Sequence, residues 1–387
     1  MFKRDLFTTT EEHFRAEVVD FLDQEVVPHH DAWAAAGQTP RKIWQKAGSA
    51  GLLCRTVSPD YGGQGGSFLE SVVLIEELAR RRISGFLACL QGDIVAPYLM
   101  KLASPEQKAR WLPGFVSGET LGAIAMTEPG GGSAIDAIAT NWRRHSNRLV
   151  LNGTKTHISN GRSADLVIVA ARSATAASQP GDSPELTLVM VEADRPGLSR
   201  KPIAKSAMPA LDTAEIELEN CLVPQDNILG REGRGFFYLM SFLGIERLVL
   251  AIYAQAMAEQ MLTELIEACE TRRVGAQTVL DFQNTRFNLA ELYSSCAVNR
   301  AFVDQAIRAA TAGKADPRTA CIAKLRCAEL LRNVALAGVQ LRGAAGVSEA
   351  SGARATQDLL DSALQSIWGG TNEVMRDVIG RSLASGL

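Results

Sequence analysis

Apolar residues along this 387-residue chain change their spacing twice, and that switch limits the folds open to it. From Thr10, the positions Phe14, Val18, Phe21, Leu22 and Val26 recur at intervals of three and four up to Pro28, the period of an amphipathic helix. The same texture predicts helices over Pro40–Leu53, Ser67–Arg82 and Ile94–Leu102. A further helix opens at Ser104-Pro105-Glu106-Gln107, with a capping serine, proline at the first position and acid in the first turn. Near Leu121 the pattern becomes short, β-branched or alternating runs: Asn147–Asn152, Leu166–Ala171, Leu186–Glu192 and Thr213–Leu218, punctuated by Gly, Asn, Pro and Asp. Ser173–Pro184, rich in Ala, Ser, Gly and Pro, reads as an exposed flexible loop between two strands. After the Gly230-Arg231-Glu232-Gly233-Arg234-Gly235 turn, helical spacing returns in four long segments: Phe236–Arg273, Thr278–Thr311, Asp316–Leu341 and Gln357–Leu383. The plan is α, then β, then a helical bundle. The expected domains are 1–120 (helical), 121–228 (β) and 229–387 (bundle), within the two or three that the length suggests.

Composition narrows the function classes. Hydrophobic residues make up 46% and charged residues 21%, as in folded globular chains, and Lys+Arg 40 against Asp+Glu 43 gives a net charge of -3. Without a basic run there is no footprint for nucleic acid or an anionic membrane. The longest apolar tract, Leu243 to Ala258, carries Glu246 and Arg247, which argues against a bilayer span. Seven dispersed cysteines without a C-x-x-C pair suggest a reducing compartment, and five histidines without metal-ligand spacing argue against zinc. The N-terminus has no apolar signal segment, so the expected location is the cytoplasm.

Two segments invite a ligand. Leu121–Met126 is an apolar strand that runs into Thr127-Glu128-Pro129-Gly130-Gly131-Gly132-Ser133, a turn that offers bare backbone N–H groups and hydroxyls to a flat or anionic molecule. On residue chemistry alone, a ligand loop and an ordinary turn are equally compatible with it. Lys155-Thr156-His157-Ile158-Ser159-Asn160-Gly161 reads as a second hydroxyl-bearing turn between β runs. Gly233-Arg234-Gly235 lacks the βαβ context and third glycine of a dinucleotide fingerprint.

A carboxylate in an odd place supplies the chemistry. On a helix, Glu246 has Phe242, Leu243, Val249 and Leu250 three and four residues away, all apolar. Arg247 is flanked by Leu243, Gly244, Leu250 and Ala251. Burying both groups without a purpose is costly. The bland alternative is a buried ion pair or an interface contact.

In order and spacing, four motifs resemble the acyl-CoA dehydrogenase superfamily over about residues 5–383. They are Met126-Thr127-Glu128-Pro129-Gly130-x-Gly132-Ser133, Asn152-Gly153-x-Lys155-x-x-Ile158-Ser159-Asn160-Gly161, Val223-Pro224-x-x-x-Ile228-Leu229-Gly230-x-Glu232-Gly233-x-Gly235-Phe236 and Gly370-Thr371-Asn372-Glu373-Val374. The resemblance implies an α+β fold: a helical N-terminal domain, a β-barrel-like middle domain and a C-terminal four-helix bundle. It implies FAD as cofactor, with Met126 and Thr127 at the flavin edge, Ser133 on a phosphate or the substrate, and the Ser159 hydroxyl near flavin N5. His157 stands where the family usually has an aromatic residue and would stack on the ring. Arg272 and Gln283 match the family's arginine and glutamine contacts to the FAD of a partner subunit, although Gly275 and Ala276 replace its Phe-Gly pair. Gln340 and Gly343 match its Gln-x-x-Gly-Gly-x-Gly, with Ala344 replacing one glycine; Thr371 and Glu373 fall at further cofactor contacts.

Many relatives carry their catalytic glutamate directly before Gly-Thr, where this chain has Gly369. The long-chain and isovaleryl branches instead place it on the first helix of the bundle, in Glu-Arg-Leu, which resembles Glu246-Arg247-Leu248. The resemblance thus implies Glu246 as base and the backbone N–H of Gly369 as donor to the thioester carbonyl, with Ser133, Arg247 and Gly370 toward the substrate. It implies desaturation of an acyl-CoA thioester, an electron-transfer flavoprotein as acceptor and a homotetramer. An acyl chain on a carrier protein, a flavin oxidase or monooxygenase, and a non-catalytic flavin-binding or scaffold protein are the competing expectations.

Overall fold

The computed structural model describes residues 4–174 and 185–384. Most of the loop expected over 173–184 therefore lies outside the described residues. Helix α1 (Thr9–Phe21) starts from a capping box in which Thr8 and Glu11 satisfy each other's backbone N–H groups. It continues as a π-helical turn, Leu22–Val26, and is followed by α2 (His30–Ala36), α3 (Arg41–Ser49) and α4 (Phe68–Arg80). A second π-helical turn, Leu90–Val95, leads into α5 (Ala96–Leu102). Helix α6 (Pro105–Ser117) opens on Ser104 as N-cap with Pro105 at the first position, as its sequence predicts, and Gln107 completes a second capping box.

The middle section holds β1 (Gly122–Ala125), β2 (Asn141–His145), β3 (Arg148–Ser159), β4 (Leu166–Ser173), β5 (Leu186–Glu192), β6 (Leu198–Pro202), β7 (Thr213–Pro224) and β8 (Ile228–Leu229). They form one eight-stranded sheet in the order β6-β7-β3-β2-β4-β5-β8, with β1 parallel to β4. Two short strands, β2 and β6, carry too many charged residues to show as β runs in the sequence. Strands β4 and β5 are buried on both faces, which is why they read as unbroken apolar runs. Val167, Val169 and Ala171 join the core of the sheet domain, while Leu166, Ile168 and Ala170 face the helical core. The sheet is thereby fused to the helices instead of hanging from a linker.

The last section is α7 (Gly235–Thr271), a hairpin of β9 (Arg273–Val274) and β10 (Gln277–Thr278), then α8 (Gln283–Thr311), α9 (Pro317–Arg342), α10 (Ala353–Gln365) and α11 (Asn372–Ala384). The expected fourth helical segment is two helices, because Gly369 (φ 63°) and Gly370 (φ 97°) turn the chain between α10 and α11. Helix α7 is long and apolar enough to cross a membrane by length and composition, yet half of its most apolar stretch is buried inside the protein. It runs between α4, α8 and α9 and touches β5, so its apolar surface all round answers to neighbours on all sides. Charge also ties the helical parts together. Glu76 on α4 is fully buried and receives Arg4 at 2.8 Å and Arg300 of α8 at 3.0 Å, which hold its carboxyl down at about 2 against the desolvation of burial.

Candidate active site

Where the 87–94 segment before α5, the ends of β1 and β3, helix α7 and the 369–371 turn converge, they enclose a mainly apolar cavity of about 660 Å³. Met126, Thr127 and Ser133 line it from the turn after β1, and His157 and Ser159 from the end of β3. Gly369, Gly370 and Thr371 close it from the α10–α11 turn.

The turn after β1 is held from below. Lys155 of β3 is fully buried and donates to the Glu128 carboxylate at 2.8 Å and to the Met126 carbonyl at 3.1 Å. Glu128 also accepts from the backbone N–H groups of Ala139 and Thr140 at 2.7 and 2.9 Å. Desolvation opposes its charge, but these donors hold its carboxyl below the usual range. Burial pulls the Lys155 ammonium down to about 8, so both groups are ionised at neutral pH. The Thr156 N–H donates to the Thr127 carbonyl at 2.9 Å and completes the attachment. Glu128 and Lys155, quoted only as motif letters above, are thus what fixes the loop. The local sequence around Lys155 reads as a turn, so nothing in it marks this role.

The segment Lys155–Gly161, expected to be a turn, is mainly strand. Strand β3 continues to Ser159, with one extra residue between the Lys155–Ile216 and Ile158–Ala214 pairs. That bulge puts His157 at φ 56° and aims His157 and Ser159 into the cavity. The His157 ring nitrogen lies 3.2 Å from the Thr156 hydroxyl.

Glu246 is buried in the cavity wall on α7. Its one hydrogen-bond partner is the Tyr98 hydroxyl at 2.8 Å, and it has no ion pair among the described residues. Burial pushes its carboxyl up to about 7; the Tyr98 hydrogen bond and the Arg247 charge pull the other way. The bland alternative of a buried pair with Arg247 is not what forms. Arg247 turns away from the cavity, its guanidinium 3.3 Å from the Cys321 thiol and 3.4 Å from the Gly369 carbonyl. It therefore supports the turn from behind and is not among the residues that line the cavity. Lys324 of α9 does the same for the next residue, donating to the Gly370 carbonyl at 2.7 Å.

Gly369 is glycine for two steric reasons. Its φ is left-handed, and a Cβ there would lie 2.3 Å from the Leu250 methyl group. Its own N–H makes no hydrogen bond among the described residues and is free to donate.

The remaining expected residues lie elsewhere in the chain. Arg272 donates to the Leu341 carbonyl at 2.6 Å and sits over Gly343, close to exposed Gln340. Gln283 begins α8 and is exposed, as is Glu373. None of these five lines the cavity of its own chain. Two participants escaped sequence reading. Tyr98 sits on a short helix with no motif around it, and Trp368 lines the cavity from the end of α10. Only the fold brings either to Glu246 or the cavity.

A flavin fits this donor set. The walls are chiefly apolar, and the hydroxyls of Thr127, Ser133 and Ser159 face the cavity without a protein partner among the described residues. No such fit can be read at Arg272, Gln283, Gln340 and Gly343 within one chain.

Comparison with known proteins agrees with the architecture. Residues 8–119 match the acyl-CoA dehydrogenase N-terminal domain, 123–221 its middle domain and 233–384 its C-terminal domain. The mitochondrial long-chain specific acyl-CoA dehydrogenase of Mus musculus is 37% identical over 384 residues, 99% of this chain and 88% of that protein. Mitochondrial isovaleryl-CoA dehydrogenase of Oryza sativa subsp. japonica is 32% identical over 98% of this chain and 92% of that one. Among solved structures, acyl-CoA dehydrogenase from Geobacillus kaustophilus superposes with a TM-score of 0.95 at 38% identity, covering 98% of this chain and 100% of that one. Its three domain matches and these full-length likenesses make the chain a member of the acyl-CoA dehydrogenase family of enzymes.

Proposed function

We propose that the protein is an FAD-dependent dehydrogenase that converts an acyl-CoA thioester to a trans-2-enoyl-CoA. The observation that carries this reading is Glu246, a carboxylate buried in the cavity wall, without an ion-pair partner among the described residues and with its protonation midpoint near neutrality. A base with that midpoint is ionised often enough to act at pH 7 and basic enough to take a weakly acidic proton. Glu246 takes the proton from Cα as the Cβ–H bond breaks. When bound, FAD supplies the acceptor for the hydride that leaves Cβ. Thr127 and Ser159 offer hydroxyls to the flavin ring and Ser133 to a phosphate or the substrate, while His157 packs at the ring's edge. The free N–H of Gly369 donates to the thioester oxygen, stabilising enolate-like charge as it develops.

The same reading includes assembly and electron acceptance. Helix α8 leaves Phe287, Val298 and Phe302 exposed, an apolar stripe suited to another copy of the chain. Arg272 and Gln283, outside the cavity of their own chain, would then serve the FAD of a partner subunit in a homotetramer. Electrons leave to an electron-transfer flavoprotein. The long-chain and isovaleryl relatives support acyl-CoA as the substrate class. A solved structure titled prolyl acyl carrier protein oxidase AnaB also superposes, at 26% identity and a TM-score of 0.87, so carrier-bound thioesters belong in the same assay.

The test is anaerobic addition of acyl-CoA to purified protein. The wild type should carry yellow flavin that bleaches, and Glu246→Gln should keep the flavin without bleaching. Unchanged bleaching in that variant would remove Glu246 as the base, and bleaching by carrier-bound thioesters alone would change the substrate class.

A further inference from the structure

We infer that Tyr98 is a positioning residue for Glu246, acting through one hydrogen bond to the reacting carboxylate; this rests on Glu246 being the base. Tyr98 is fully buried, and its hydroxyl reaches one partner among the described residues, Glu246 Oε1 at 2.8 Å. A buried phenol needs a polar partner, and here that partner is the carboxylate lining the cavity. One carboxylate oxygen is tethered, which leaves Oε2 to receive the proton.

The fold is arranged to make this contact. Leu90–Val95 is a π-helical turn directly before α5, and Pro97 in the first turn of α5 has no N–H to satisfy. Tyr98, in the helix that follows, faces α7. There Phe242, one helical turn before Glu246, packs against the Tyr98 ring, tilted by 39° with centroids 4.3 Å apart. The phenol is thus clamped by the helix that carries the carboxylate.

Glu128, His157 and Lys205 line the same cavity from the sheet domain, but none of them is an electrostatic partner of Glu246. Among the described residues, its electrostatic partners are Tyr98 from α5 and Arg247 on its own helix, and Arg247 is directed toward Cys321 and Gly369. The 369–371 turn brings only backbone groups and the neutral Thr371 hydroxyl. The hydrogen bond from Tyr98 favours the ionised carboxylate and offsets part of the burial penalty. Removing it should raise the pH at which Glu246 becomes a base.

The experiment compares wild type, Tyr98→Phe and Glu246→Gln as flavin-loaded enzymes. The first readout is the pH profile of kcat/KM with an acyl-CoA. The second needs no turnover: exchange of the Cα hydrogen for deuterium in a 3-thia acyl-CoA, whose β-position sulfur carries no hydride to lose. In the wild type the acid limb should rise through about pH 7, where burial places Glu246. In Tyr98→Phe the acid limb of both readouts should move up by about one to two pH units, the size of a charge-assisted hydrogen bond. Exchange at pH 6 should then fall roughly tenfold or more. Replacing Tyr98 with difluorotyrosine, a stronger donor of the same shape, should move the limb down. Limbs that stay in place in both variants, with only kcat lowered, would overturn the inference and leave Tyr98 a packing residue. If Glu246→Gln still exchanges the Cα hydrogen, the base itself has been misassigned. Loss of exchange in that variant beside an unmoved Tyr98→Phe limb rejects Tyr98 alone.

Discussion

Replacing Lys155 with methionine tests whether the cavity wall is held by one buried ion pair. Methionine has nearly the length of the lysine stem and none of its charge. The variant loses the 2.8 Å contact to Glu128 and the 3.1 Å contact to the Met126 carbonyl. Removing one partner of a buried pair typically costs about 3–5 kcal/mol. Glu128 keeps two backbone donors, Ala139 and Thr140, so the lower figure, about 3 kcal/mol, is expected here. That loss should be felt first in the 126–140 turn, because Lys155 ties it to β3. Hydrogen exchange of peptides covering that turn should speed up by roughly two orders of magnitude at pH 7. Flavin should dissociate more readily, while peptides from α8 and α9 keep wild-type protection. Adding Glu128→Gln removes the stranded charge, so the double variant should lose less than the sum of the single ones. Acidification should mimic the break. Glu128 has its carboxyl held low, so its contribution is present above the ordinary carboxylate range and is lost as pH falls through its folded-state midpoint. Wild-type exchange in Lys155→Met, or losses that add within about 0.5 kcal/mol, would refute the reasoning.

Two further outcomes follow from local geometry. Gly369→Ala should cost about 1–2 kcal/mol for the left-handed backbone, read as a lower thermal midpoint, and should displace Leu250; adding Leu250→Ala relieves the contact with the methyl group but not the backbone term. Arg272→Ala should leave the thermal midpoint of the flavin-free protein near wild type, since the side chain is exposed, yet lower flavin content in the assembled enzyme; equal flavin content would remove Arg272 from the cofactor site.

Legibility differed by element for physical reasons. The apolar period of α1 and the capping serine at 104 are local, so sequence showed them. Strands β2 and β6 owe their form to pairing with β3 and β7, and their own residues do not announce it. The stretch 155–161 carries turn-like residues, but pairing with β7 keeps most of it extended and turns the excess into a bulge. Glu246 was legible because a carboxylate among apolar helical neighbours is costly enough to need a reason.

By itself, the sequence determined the α–β–α order, the four motifs and the one carboxylate out of place on an apolar helix. These depend on period, spacing and burial cost, which neighbouring residues already express. Only the tertiary structure decided what surrounds that carboxylate. It separated Glu246 from Arg247, put Tyr98 on one side and an open cavity on the other, and filled the space a side chain at 369 would need with Leu250. Tyr98 and Glu246 are 148 positions apart, and their 2.8 Å contact exists because tertiary packing brings the helices that carry them together. Protonation near neutrality comes from that enclosure, a property of packing that no stretch of sequence carries alone.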